Sequence, residues 1–127
     1  MTKTEWLNVA NVADFPRDSG ACVKVGELQI AIFNFGKDEW YAVANQCPHQ
    51  QQMVLSRGLI GDANGEPKVA CPLHKNSFSL CTGEHLGGNA EWKLQTYPIK
   101  VEGRAVWLEL SESQLERANL LELPRVA

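Results

Sequence analysis

A chain of 127 residues that is 44% apolar and 21% charged has the size and balance of one ordinary globular domain, which excludes a disordered or fibrous chain. Its net charge of -3 excludes the clustered basic face that a phosphate backbone requires, so no nucleic-acid partner is expected. The N-terminal stretch MTKTEWLNVANVADF lacks the apolar run of a signal peptide and no segment approaches the roughly 18 apolar residues of a span, so no membrane contact and a cytoplasmic location are expected.

In chain order, EWLNVA (5–10), ACVKVG (21–26), LQIAIFNF (28–35) and EWYAVANQ (39–46) are rich in β-branched and aromatic residues with partial alternation, and read as strands. Gly26-Glu27 and Gly36-Lys37-Asp38 read as hairpin turns. Two strand-like runs around Ala63-Asn64-Gly65-Glu66 form a further hairpin, and SFSL runs into Thr82-Gly83. The last strands, LQTYPIKVEG and RAVWLEL, join at Glu102-Gly103, with Pro98 confining its strand to an edge or bulge. SESQLERANLLEL (111–123) carries a Ser-x-x-Gln capping box at Ser111 and Gln114 and is the one helix candidate, stopped by Pro124. Turn signals about every eight to twelve residues predict an all-β antiparallel sandwich or small barrel.

Four cysteines without a signal peptide point to thiols, metal ligands or catalytic groups rather than a disulfide framework. Cys47-x-His49 and Cys71-x-x-His74 lie on two loops, each with a proline directly after its cysteine to hold the loop out of regular pairing. Two sulfurs and two nitrogens suit tetrahedral zinc or a [2Fe-2S] cluster in which two His replace two Cys on one iron. A zinc finger keeps like ligands together, whereas here each loop offers one of each, which fits a two-metal cluster better. Cys22 reads as a small core residue, Cys81 as a turn-flanking one and His85 as a surface histidine. The tryptophans Trp6, Trp40, Trp92 and Trp107 read as core or sheet-face residues rather than an electron path. No Ser/His/Asp order, phosphate loop or paired carboxylates in a motif occur, so no catalytic residue is expected and the chain reads as a carrier or accessory subunit.

With CPH and CPLH matching C-x-H and C-x-x-H, and HKNSFSLCTG following, the sequence resembles a Rieske protein. The resemblance implies a sandwich with a two-loop cluster-binding tip, Cys47 and Cys71 on the inner iron, and His49 and His74 on the outer one. Rieske proteins of the cytochrome bc type tie these loops with a disulfide at the places held here by Gln52 and Leu73, so the chain resembles the ferredoxin-like branch. Two thiolates and two neutral imidazoles bring a dipositive diferric core to neutrality, while four thiolates leave a dianion, so an electron is accepted more readily than at the roughly -400 mV of plant-type ferredoxins. Candidate tuning groups are the loop N-H groups and the Ser77 hydroxyl.

The stretch VLSRGLIGDANGEPKVACPLHKNSFSLCTGEHL, with 21 residues between His49 and Cys71, is similar to the small subunit of assimilatory NAD(P)H-dependent nitrite reductases. That similarity implies a Rieske domain over 1–110, a helical extension over 111–127, and electron transfer to a large catalytic subunit that carries FAD, a [4Fe-4S] cluster and sirohaem and reduces nitrite to ammonium. The alternatives are a free Rieske ferredoxin of an aromatic-ring dioxygenase system, or a cluster-free interaction module that stabilises the large subunit. If the two histidines form the outer edge, the docking surface is expected at Pro48, Gln50, Gln51, Gln52, Pro72, Leu73 and Lys75.

Overall fold

A computed structural model describes residues 4–36, 39–47, 52–63, 65–72, 76–89 and 91–117. Among these, ten strands form three antiparallel sheets. The first sheet has the order β1-β10-β9, from Thr4–Asn11, Ala105–Ser111 and Ile99–Glu102. The second has the order β2-β3-β4-β8, from Ser19–Val25, Leu28–Asn34, Trp40–Ala44 and Thr96–Tyr97. The third, β5-β6-β7, comprises Leu59–Ala63, Glu66–Ala70 and Ser77–Ser79.

β3 explains why the molecule has two cores. Ile30, Ala31, Ile32 and Phe33 are all fully buried, an unbroken apolar run of the kind a strand needs when both its faces are covered. Ile30 and Ile32 join Val25 and Ala42 of the second sheet against Val106, Leu108 and Leu110 of the first. Ala31 and Phe33, pointing the other way, join Val43 against Val69 and Phe78 of the third sheet, with Leu55, Leu80 and Leu94. The first pair of sheets is therefore the sandwich, and the third sheet is a tip built on the back of β3.

Pro98 makes one run of chain serve two sheets. β8 pairs with β4 through Val43 and Thr96, and after Pro98 the chain enters β9, which pairs with β10 through Trp107 and Lys100. A proline has no N-H to give a ladder, so the crossing falls there. Its carbonyl still accepts from Glu109 N-H at 3.0 Å.

The expected strands are all present, with a shift at one turn. Glu102 still pairs with Ala105, which places the last hairpin turn at Gly103-Arg104 instead of Glu102-Gly103. Helix α1 spans Glu112–Arg117, and the remainder of the expected helix lies outside the described residues. Its capping box is reciprocal: Ser111 N-H donates to Gln114 Oε1 at 2.7 Å, and Gln114 N-H to Ser111 Oγ at 3.3 Å. Leu115 is buried in the sandwich core, so the segment after β10 is fastened to the domain. No helix among the described residues is long and apolar enough to cross a membrane.

Candidate metal centre

Cys47 follows β4, and Cys71 follows β6. The bases of the two loops are closed alike. Gln46 bridges to Met53 and Cys47 N-H donates to the Gln52 carbonyl at 2.9 Å. Ala70 pairs with Ser77 and Cys71 N-H donates to the Asn76 carbonyl at 2.8 Å. In each case a cysteine N-H closes the loop on the carbonyl five residues later, and a proline stands next. Pro48, His49, Gln50, Gln51, Leu73, His74 and Lys75 lie outside the described residues; Gln52 and Pro72 are exposed at the loop bases.

The structure brings the two expected thiol ligands together. Cys47 and Cys71, each 1% exposed, belong to one buried cluster with Phe33, Val43, Leu55, Val69, Phe78, Leu80 and Leu94. Neither is in a disulfide. A thiolate in such apolar surroundings needs a positive charge beside it, and a bound metal supplies one as the thiols release their protons. Among the described residues no group of three or more His, Cys, Asp or Glu gathers into a ligand set. The described half of the proposed set is thus two sulfurs on the core side, and the donor set fits a cluster whose remaining ligands come from the loops.

Asn45 anchors the first loop. It is 2% exposed, its Oδ1 accepts from Ser56 N-H at 2.7 Å, and its Nδ2 donates to Gln29 Oε1 at 3.3 Å. Its main chain also donates to the Gln29 carbonyl at 3.0 Å and accepts from Leu55 N-H at 3.1 Å. Sequence reasoning passed over this residue. The signal available was an asparagine directly after an apolar strand, the position where a chain leaving a sheet needs its backbone groups satisfied.

The other readings divide. Cys22 is exposed, not a core residue: Ala21, Val23 and Val25 take the inward side of β2, and Cys22 shares the outward side with Lys24. Partial burial pushes its thiol pKa up, with a hydrogen bond from the Ile30 backbone opposing. Cys81 is exposed in a turn, as expected. His85 is half-buried, not a surface histidine; its ring lies 5.4 Å from Phe78 and 5.0 Å from Trp92. No bond from the Ser77 hydroxyl is found among the described residues. Trp6 and Trp107 lie on the outer face of the first sheet, with the Lys100 ammonium 4.5 Å from the Trp6 ring and 5.9 Å from the Trp107 ring, and Trp40 packs edge-on to Phe15 at 5.6 Å.

A sandwich with a small third sheet on the back of β3, and two buried thiols at two loop bases, is the arrangement of a Rieske-type domain. The chain belongs to that family: the Rieske-like [2Fe-2S] domain matches residues 5–109. The nitrite reductase (NADH) small subunit of Escherichia coli K12 is 37% identical over 106 residues, covering 83% of this chain and 97% of that one. The solution structure of the E. coli protein NirD superposes with a TM-score of 0.76 at 31% identity, over 85% of this chain and 98% of that one. The nitrite reductase [NAD(P)H] large subunit of Klebsiella oxytoca is 41% identical over 103 residues, 81% of this chain and 11% of that one. The ferredoxin subunit of the 3-phenylpropionate/cinnamic acid dioxygenase of Shigella flexneri is 38% identical over 103 residues, 81% of this chain and 92% of that one. The chain spans about a tenth of the length of the first curated relatives it matches.

Proposed function

We propose that this chain is the electron-transferring, non-catalytic small subunit of a cytoplasmic NAD(P)H-dependent nitrite reductase, with Cys47, His49, Cys71 and His74 as the ligands of its [2Fe-2S] cluster. The observation that carries the reading is the pair of buried thiols at the bases of two loops closed by the same bond. On this reading the Rieske unit is 1–110 and 111–127 follows it, with helix Glu112–Arg117 as its described part. The cluster, when bound, supplies a one-electron carrier. The chain's own part is to hold it: Cys47 and Cys71 give thiolates, the loop closures fix their backbones, and Phe33, Leu55, Val69 and Phe78 keep water from the sulfur side.

The partner on this reading is a large catalytic subunit with FAD, a [4Fe-4S] cluster and sirohaem, and nitrite is reduced there. Support comes from the small-subunit relative of matching length and from the Klebsiella oxytoca large subunit, part of which is similar to this chain. The test is to add the purified chain to a nitrite reductase large subunit freed of its own small subunit and follow ammonium formation from nitrite and NAD(P)H. Restored turnover is expected from wild type and not from Cys47→Ala. No binding and no effect on turnover would overturn the assignment.

A second reading, a ferredoxin serving an aromatic-ring dioxygenase, is favoured by the similarity to the Shigella flexneri ferredoxin subunit. It predicts reduction of the chain by a dioxygenase reductase and no association with the nitrite reductase subunit. The 21-residue segment between the two motifs, folded here as a 3-10 turn at Leu55–Arg57 and the β5-β6 hairpin, is the stretch that resembles nitrite reductase small subunits and so favours the first.

A further inference from the structure

His85 is the one histidine outside the two ligand motifs, and its place is set by the backbone. Ser79 N-H donates to the Glu84 carbonyl at 2.9 Å and Leu86 N-H to the Ser77 carbonyl at 2.8 Å, so residues 84–86 lie against β7 with Phe78 opposite His85. The imidazole sits against the Phe78 ring and is nearly perpendicular to Trp92. A Cβ at Gly87 would come within 2.6 Å of the imidazole Cε1, so the turn closes around the ring because Gly87 has no side chain.

Its two nitrogens are assigned by their partners. Asn89 N-H donates to Nδ1 at 3.1 Å. A backbone N-H can only donate, so Nδ1 is the bare nitrogen and the neutral ring carries its proton on Nε2. Nε2 then points its proton at Asn76 Oδ1, a long contact of 3.4 Å. Asn76 is the residue whose main-chain carbonyl closes the second loop on Cys71 N-H.

We propose that His85 is a positioning residue for the second ligand loop: by holding the Asn76 side chain it keeps the Cys71-to-Asn76 closure made, and so keeps Cys71 where a metal can use it. This rests on the reading of residues 71–76 as a ligand loop. The first loop has the same closure, from Cys47 to Gln52, but is anchored through Asn45 and not through His85. It is therefore an internal control.

The experiment reads amide hydrogen exchange at Cys71 and Cys47 in the metal-free full chain, and chelator-induced bleaching in the cluster-loaded chain. His85→Phe keeps a ring against Phe78 and Trp92 but has neither polar contact; His85→Gln keeps an amide that can both accept and donate. In His85→Phe the Cys71 amide is expected to exchange roughly three- to tenfold faster, with Cys47 unchanged, and bleaching to accelerate in step. His85→Gln restores Cys71 to within about twofold of wild type, and Asn76→Ala, which removes the acceptor from the other side, repeats the acceleration. Unchanged Cys71 exchange in both His85→Phe and Asn76→Ala, or equal acceleration at Cys71 and Cys47, would overturn the proposal. A wild-type chain that binds no cluster under any condition counts against the cluster reading alone, since the amide readout needs no metal.

Discussion

Asn45 and Gly83 show how single residues shape the tip. Asn45 stands two residues before Cys47, and replacing it by Ala strands Ser56 N-H and the Gln29 side chain. Leaving such a buried donor unpaired costs about 1–3 kcal/mol, so Asn45→Ala is expected to lower the melting temperature of the full chain by several degrees in calorimetry and to hasten cluster loss. Gly83 has φ +82°, its N-H donates to the Ser79 carbonyl at 2.8 Å, and a Cβ would collide with the Leu94 carbonyl oxygen. Gly83→Ala is therefore expected to destabilise by more than the roughly 1 kcal/mol usual for the left-handed region, read as a lowered denaturant midpoint at unchanged slope. The two cysteines proposed as ligands could be singled out at this scale because residue type and spacing are local properties of the chain, and their shared burial is the part the fold adds. His85 could not be, because its partners come from two separate segments, Asn76 and Phe78 at β7 and Trp92 further on, that only the folded tip assembles. Cys22 was legible in principle: Ala21, Val23 and Val25 alternate with Cys22 and Lys24, and the period of two assigns the thiol outward.

At the scale of elements, the capping box of α1 makes the sharpest case. Ser111 and Gln114 satisfy each other's backbone N-H groups and start the helix directly at the end of β10, which seats Leu115 in the sandwich core. Ser111→Ala is expected to cost about 1 kcal/mol, and Gln114→Ala a similar amount, both measured by denaturant unfolding of the full chain. The two should fall short of additivity when combined, because each removes one half of the same reciprocal pair. Strand existence and most turns were readable from β-branched runs and Gly, Asn and Pro breaks. Sheet membership was not: one run, LQTYPIKVEG, becomes β8 in the second sheet and β9 in the first, and only long-range pairing decides that. The apolar run of β3 carried a further hint, since four successive buried positions require cover on both faces.

For the whole molecule, Cys47 and Cys71 at the two loop bases lie in the buried cluster on the opposite side of β3 from the sandwich core, which separates the proposed cluster site from the core that holds the two larger sheets together. Around the loop bases, Gln52 and Pro72 are exposed, and Met53 and Leu86 expose 47% and 39% of their surface. These four side chains are uncharged and Lys75 is the one charge in the expected docking surface, so binding to the proposed large subunit is expected to depend only modestly on ionic strength. Met53→Glu places a charge at the loop bases without touching a ligand, and is expected to weaken the complex roughly tenfold in a titration while the cluster stays bound. Affinity that survives Met53→Glu but falls steeply with salt would move the interface elsewhere.

The central claim is that two mixed Cys/His loops hold a two-iron cluster, and the most direct test is metal and sulfide analysis of the full chain purified without oxygen. About two irons and two acid-labile sulfides per chain are expected, both lost when Cys47 and Cys71 are replaced by Ala. Stoichiometric zinc with no sulfide in wild type, or iron and sulfide retained in the doubly substituted chain, would contradict it.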